Sequence, residues 1–173
     1  MLRNIAIVGI AGLIVGCNAT QKVAAHSDQP QHSFGIYLVN FTPEQPWTPA
    51  TLGSLADLAL EKQPVISDAD ILTYEFATHT FLVQQSALAR LPPPPVWHKP
   101  FVVVADGQRI YVGAFSTSLS SHASSVPSIL VDFRDFTNEL TINLGYPAGF
   151  RTGVDPRSDD RVRAALAGLH KLK

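Results

Sequence analysis

Apolar and polar residues alternate along much of the chain in runs of five to eight residues, and branched or aromatic side chains fill most apolar positions. Clusters of Pro, Gly, Asp and Ser separate these runs, which is the pattern typical of β-strands. The pattern predicts strands at 34–41, 71–76, 78–83, 101–105, 108–115, 126–133 and 139–146.

The dipeptide Asp106-Gly107 predicts a tight hairpin between two of these strands. A type I′ turn needs positive φ at both central residues, which Asp and Gly tolerate. We expect the face that includes Ala114 to be the core and Tyr111 to lie on the opposite, mixed face. A regular ladder from a two-residue loop has the pairs Ala105–Gln108, Val103–Ile110 and Phe101–Val112.

A helical period replaces the alternation near the end of the chain, where residues 159–172 place their apolar side chains on one face. Shorter helical segments are predicted at 67–70, with Ser67 as the capping residue, and at 84–90, before the polyproline run 92–95. Residues 51–62 fit a helix at some positions and a strand at others. These elements predict an α+β fold: a mostly antiparallel sheet with short helices and a C-terminal amphipathic helix.

The N-terminus has the pattern of a leader segment. Arg3 precedes eleven residues, Ile5 to Val15, that have no charged or polar side chain. As a helix this run is about 16 Å long, roughly half of a hydrocarbon core, so it suits a signal peptide better than a membrane span. The small residue Gly16 and the single cysteine, Cys17, follow directly.

Ile14-Val15-Gly16-Cys17 resembles the lipobox of bacterial lipoproteins. The resemblance implies that Cys17 is lipidated and becomes the first mature residue, and that Asn18 is compatible with sorting to the outer membrane if the cell has two membranes. An ordinary cleaved signal or an uncleaved anchor, with Cys17 incidental, is the alternative. The expected organisation is a signal peptide at 1–16, the lipidated cysteine with a flexible tether at 17–33, and one folded domain at 34–173.

Composition limits the classes of partner. Loss of residues 1–16 would leave twelve basic and fourteen acidic side chains, so the chain offers no basic footprint for nucleic acid or anionic lipid. Attachment to a membrane would therefore depend on the lipid. With Cys17 modified, the folded body has no thiol for a disulfide or a cysteine-based metal site. Hydrophobic residues, 46% of the chain, suffice for a core.

The body is similar to a family of small bacterial lipoproteins of uncharacterised role. More remotely, its order of helical turn, strand and hairpin is similar to the first periplasmic (head) domain of SecD-type translocation accessory proteins. The second resemblance implies an α+β fold with a mostly antiparallel sheet, and neither resemblance implies catalytic residues. The matching stretches are Phe34-Gly35-Ile36-Tyr37-Leu38, Pro64-Val65-Ile66-Ser67, Asp70-Ile71, Tyr74, His79, Pro100-Phe101-Val102-Val103-Val104, Arg109-Ile110-Tyr111, Gly113-Ala114-Phe115 and Ser120-Ser121.

Residues 116–125, which we call the serine-rich loop, are the candidate site for a ligand or partner. A hydrolase would take its nucleophile from this loop, its base from His79 or His122, and Asp132 as the orienting acid. The sequence contains neither a Gly-x-Ser-x-Gly elbow nor a Ser-x-x-Lys motif, and serine-rich loops are mostly solvated turns. The candidate contact residues are His79, Ser116, Ser118, Ser120, Ser121 and His122.

Metal and cofactor sites are not indicated by the sequence. The six histidines are scattered, with no His-x-His or His-Glu-x-x-His pair, and no glycine-rich phosphate cradle is present. His79 lies among apolar residues, where a buried imidazole needs a hydrogen-bond partner, and we expect Tyr74 or a loop serine to supply it. The arginines at 151, 157, 161 and 163 could receive a carboxylate or phosphate, but aspartates at 155, 159 and 160 lie among them, so internal salt bridges are the simpler expectation.

These observations favour a lipid-anchored protein of the cell envelope that acts as an interaction or structural module without a recognisable catalytic site. It would present the serine-rich loop or an exposed sheet edge to an envelope protein or peptide. The alternative is a small periplasmic hydrolase or ligand-binding protein that uses the serine-rich loop.

Overall fold

The computed structural model describes residues 31–41, 43–132, 134–148, 150 and 154–173. Cys17 and the leader therefore lie outside the described residues. The three helices of the described chain are short: α1 Pro49–Leu52, α2 Gln85–Leu88 and α3 Asp160–Gly168. The strands are β1 Phe34–Leu38, β2 Ile66–Ser67, β3 Ile71–Glu75, β4 Thr80–Val83, β5 Lys99–Ala105, β6 Gln108–Ser116, β7 Ser128–Leu130 and β8 Glu139–Asn143.

The eight strands form one sheet in the order β2-β1-β5-β6-β7-β8-β4-β3. Every pair is antiparallel except β6 and β7, which run parallel. The prediction of a mostly antiparallel sheet is thus confirmed. The two edge strands, β2 and β3, are joined only by a single 3₁₀ turn, Asp68–Asp70. Because that turn brings both edges together, the sheet nearly closes on itself, which the sequence pattern did not predict.

The predicted hairpin is β5–β6, with φ of 48° at Asp106 and 73° at Gly107. Its predicted register is wrong beyond the turn. Val104 pairs with Arg109, but Val103 pairs with Tyr111, so Ile110 is an extra residue on β6. This β-bulge shifts every later pair by one position. Phe101 consequently faces Gly113 rather than Val112, and Tyr111 belongs to the main core while Val112 packs on the other face.

The main core fills the inner face of the sheet and is closed by α3. This is the amphipathic helix that the helical period predicted, but it ends at Gly168 and not at residue 172. Val162, Ala165 and Leu166 are buried on one side of this helix and join the core with strand residues such as Phe81 and Phe101. The Asp159 carboxylate accepts a bond from the Arg161 N–H and so caps the helix start.

Residues 51–62 form neither of the predicted long elements. After α1 the chain runs across the outer face of the hairpin, where Leu58 packs with Val39 and Val102 in a second, smaller cluster. The Arg109 guanidinium donates to the carbonyl oxygens of Leu55 and Ala56, both at 2.8 Å. A polar side chain of the hairpin therefore fixes this loop, which explains why its mixed pattern matched no single period.

The outer edge of β3 is covered by the C-terminal residues. The Tyr74 N–H donates to the Lys171 carbonyl at 2.7 Å, and the Lys173 N–H donates to the Tyr74 carbonyl at 3.0 Å. This part of the sheet edge is already paired.

The first described residues lie beside the β5–β6 turn. The Ser33 N–H donates to the Asp106 carboxylate at 2.8 Å, and His32 Nδ1 lies 3.0 Å from the other oxygen of that carboxylate. The His32 ring also packs where Gly168, at the end of α3, has no side chain. The chain therefore joins the folded unit at the turn end of the hairpin.

Candidate functional site

The serine-rich loop leaves the hairpin at Ser116 and is fixed by side chains from both sides. The Asp132 carboxylate accepts from the Thr117 hydroxyl and, at 2.6 Å, from the Ser118 N–H. Burial alone would raise the pKa of Asp132, but the bonds from Thr117 and Ser118 hold this pKa below its ordinary value. The Tyr146 hydroxyl donates to the Ser118 carbonyl at 2.8 Å. The loop is thus held in place by specific bonds, although Ser118, Leu119 and Ser121 are exposed to solvent as its composition suggests.

Ser116, the last residue of β6, is hydrogen bonded to a histidine that sequence reasoning did not single out. Ser116 Oγ lies 2.8 Å from His98 Nδ1, and His98 Nε2 lies 3.0 Å from the His122 carbonyl oxygen. Since only Nε2–H can donate to a carbonyl, the neutral ring accepts from the Ser116 hydroxyl at Nδ1. Burial lowers the pKa of His98, which favours that neutral ring.

The position of His98 follows from the bulge in the hairpin. The ladder ends with Lys99 opposite Phe115, so its continuation places residue 98 opposite residue 116. The regular register expected from the turn alone would have placed residue 98 opposite Phe115. The pairing of His98 with Ser116 depends on the bulge, and the alternation of apolar and polar residues in the sequence does not reveal that bulge.

The nucleophile, base and acid considered for a hydrolase do not come together. Asp132 binds Thr117 and Ser118 and not an imidazole. The His122 ring packs against Trp97, with ring centroids 4.4 Å apart, and the His122 backbone N–H donates to Ser120 Oγ at 3.1 Å. Ser116 has a histidine partner, but its exposed fraction is 0%.

His79 lies away from this loop, in the turn between β3 and β4, with φ of 54°. The expected position within a strand is therefore wrong, but the expected bond to Tyr74 is confirmed: the Tyr74 hydroxyl lies 3.0 Å from His79 Nδ1. His79 Nε2 lies 3.6 Å from Asp155 Oδ2. Burial lowers the pKa of His79 and raises that of Tyr74, which favours the neutral form of both groups.

Asp155 and Arg157 complete the network around His79. The Arg157 guanidinium donates to both oxygens of Asp155, at 2.9 and 2.6 Å, and to the Ile142 carbonyl at 2.6 Å. Arg161 pairs with Asp159 at 2.8 Å. The expected pairing of late arginines with aspartates is thus confirmed for these two, while Arg151 lies outside the described residues.

A cleft of about 320 Å³ lies between the serine-rich loop and the polyproline run. Its lining contains no carboxylate, ammonium or guanidinium group. Val96 and Leu119, on its two sides, are 75% and 89% exposed. The residues that line it are Pro94, Pro95 and Val96 on one side and Thr117, Leu119, Ser120, Ser121 and His122 on the other.

Three of the candidate residues, Ser120, Ser121 and His122, line the cleft, whereas Ser116, Ser118 and His79 do not. The sequence pattern does not predict its second side, since the polyproline run 92–95 predicts only an extended spacer. Their position could have shown this: the run ends shortly before β5, and the serine-rich loop begins at the last residue of β6. Because β5 and β6 form a hairpin, segments that flank their far ends must lie close together.

Within the part of the chain that the structure describes, no group of three or more His, Cys, Asp or Glu side chains could hold a metal ion, and no helix has the length and apolarity to cross a membrane. Comparison of the chain with models of known families, with curated proteins and with solved structures finds no match. Function has to be inferred from the geometry of the cleft and from the pattern of the N-terminal residues.

Proposed function

We propose that this protein is a lipid-anchored component of the cell envelope whose folded unit is an interaction module. Cys17 would hold it to a membrane, which is the outer membrane, on its periplasmic side, in a cell with two membranes. The cleft between Val96 and Leu119 would bind a segment of an envelope protein. The order of charge, apolar run, small residue and cysteine supports the anchor.

The observation that supports the binding role is the combination of an ordered loop with exposed apolar side chains. Asp132 and Tyr146 fix the serine-rich loop through bonds to Thr117 and Ser118, yet Leu119 beside those residues is 89% exposed. A fixed loop loses little conformational entropy when a partner binds. Burial of each of these two side chains, Leu119 and Val96, would contribute roughly 1.5–3 kcal/mol to binding before the costs of ordering are subtracted.

The alternative is a small periplasmic hydrolase or ligand-binding protein. The short bond between Ser116 Oγ and His98 Nδ1, 2.8 Å long, favours this alternative because a base must reach the hydroxyl proton of its nucleophile. The burial of Ser116 opposes it, since an acyl group would have to reach a side chain that has no exposed surface. We therefore place binding before catalysis.

Photo-crosslinking in intact cells tests the binding role. A photoreactive amino acid would replace Leu119 in one variant and Leu72 in a matched control. Leu72 is also an exposed leucine, at 45%, but lies on β3, at the edge of the sheet. We expect a discrete protein adduct from position 119 and none from position 72. The same products from both positions, or none from position 119, would contradict the proposal.

The anchor has a separate test. Mass spectrometry of the processed protein should find a diacylglycerol on the thiol of Cys17, and Cys17→Ser should leave the protein unprocessed and change its fractionation. An unmodified thiol in the mature protein would refute the anchor without affecting the cleft.

A further inference from the structure

The β5–β6 hairpin separates the point where the chain joins the folded unit from the cleft. At the turn end, Asp106 binds the N–H of Ser33, and Phe34 pairs with Ala105. At the opposite end, Lys99 pairs with Phe115, and the two sides of the cleft begin a few residues beyond that pair. Lys99–Ala105 is a seven-residue strand, which spans about 20 Å. The two features thus lie at opposite ends of the sheet.

We infer that the Asp106 end of the folded unit faces the membrane and that the cleft lies on the side away from it. The cleft would bind an uncharged, apolar segment of a protein that approaches from the side away from that membrane. This inference rests on the proposed lipid anchor. Between Cys17 and Gln31 the chain can span at most about 50 Å. If the cleft faced the membrane, the segment between Cys17 and Gln31 would have to extend along the folded unit, which costs chain entropy.

The nature of the segment follows from the lining of the cleft. Its eight residues offer prolines, Val96, Leu119, hydroxyl groups and one imidazole, but no carboxylate, ammonium or guanidinium group. A charged segment would lose hydration without gaining an ion pair. A glycan usually needs an aromatic platform, and the residues that line the cleft include no Trp, Tyr or Phe. An apolar peptide segment remains the best match.

Fluorescence quenching on vesicles tests the orientation. Since the body has no cysteine of its own, Gln108→Cys and Leu119→Cys each provide a single labelling site in the lipidated full-length mature protein. Both positions are exposed, one next to the turn and one at the cleft. Each labelled protein would be reconstituted into phosphatidylethanolamine/phosphatidylglycerol vesicles with or without a lipid that carries a nitroxide on its headgroup.

We expect the nitroxide to quench the label at position 108 at least twice as strongly as the label at position 119. Equal quenching, including none at either position, or stronger quenching at position 119 overturns the inferred orientation. Failure of the protein to float with the vesicles refutes the anchor itself, so the two failures are distinguishable. The crosslinked segment recovered from position 119 decides the partner chemistry: a charged peptide segment, a lipid or a glycan there overturns the inferred occupant.

Discussion

Replacement of Ser116 by alanine tests whether this serine is a structural donor or a nucleophile. Its hydroxyl has no exposed surface and donates to His98 Nδ1 at 2.8 Å. In Ser116→Ala the ring cannot satisfy that nitrogen by switching tautomer, because Nε2–H must remain where it donates to the His122 carbonyl. A buried acceptor is then left without a donor.

The expected loss of stability follows from that orphaned acceptor. An unsatisfied buried polar atom costs about 1–3 kcal/mol, and the missing hydroxyl oxygen leaves only a small void. For a domain of this size, each kcal/mol lowers Tm by roughly 2–4 °C. The matched control is Ser121→Ala. Ser121 is exposed in the same loop, so we expect its replacement to change the free energy of unfolding by less than about 0.5 kcal/mol.

Urea unfolding of the folded unit at pH 8 measures both variants, and the native protein is incubated in parallel with a fluorophosphonate probe. We expect Ser116→Ala to lose 1–3 kcal/mol, on the scale just given, and the probe to leave the native protein unlabelled. If Ser116→Ala is as stable as Ser121→Ala, the bond to His98 contributes nothing and our account of the loop is wrong. Labelling of Ser116 would instead establish the hydrolase alternative.

Two further predictions concern pH and the hairpin. Because burial lowers the pKa of both His79 and His98, the unfolded chain binds protons more readily, so stability should fall as pH drops below the ordinary pKa of 6.5 towards the folded-state values. The limiting slope is about 1.4 kcal/mol per pH unit for each ring. In urea unfolding from pH 8 to 5, His79→Gln or His98→Gln should each remove up to half of the pH dependence that the two rings produce together. An unchanged slope in both variants would count against this cause. In Gly113→Ala the new Cβ would overlap the Phe101 ring and lie 2.8 Å from the Pro127 carbonyl oxygen. We therefore expect the free energy of unfolding to fall by about 1–3 kcal/mol, and Phe101→Leu to restore part of this loss. A Gly113→Ala variant as stable as the native protein would show that the pairing across the bulge is wrong.

The elements that sequence reasoning predicted well are those set by local chemistry. Asp106 and Gly107 form their turn because both tolerate positive φ. Ser67 precedes a 3₁₀ turn whose Asp70 carboxylate accepts from its N–H and hydroxyl, at 2.8 and 2.6 Å. In each case the residues that decide the conformation are within a few positions of one another, so the sequence contains the whole cause.

The features that escaped prediction depend on residues far apart in sequence. Residues 51–62 owe their path to Arg109, which holds the Leu55 and Ala56 carbonyls. The near closure of the sheet depends on β2 and β3 lying at its two edges. The bond between His79 and Tyr74 is one of the two that the sequence predicts, because a histidine among apolar residues needs a partner. The sequence does not connect this pair with Asp155 and Arg157, which complete the network.

The bulge at Ile110 links the hairpin to the candidate site. Side chains of a strand alternate between faces, so one inserted residue exchanges the two faces for the rest of β6. Phe115 thereby points into the main core beside Phe101, with ring centroids 4.9 Å apart, and Ser116 comes opposite residue 98. Without the insertion, Phe115 would take the place opposite residue 98 and Ser116 would turn to the core. The same irregularity therefore determines both the packing of the hairpin and the direction in which the serine-rich loop leaves it, and a variant lacking Ile110 should lose the cleft and the Ser116–His98 bond together.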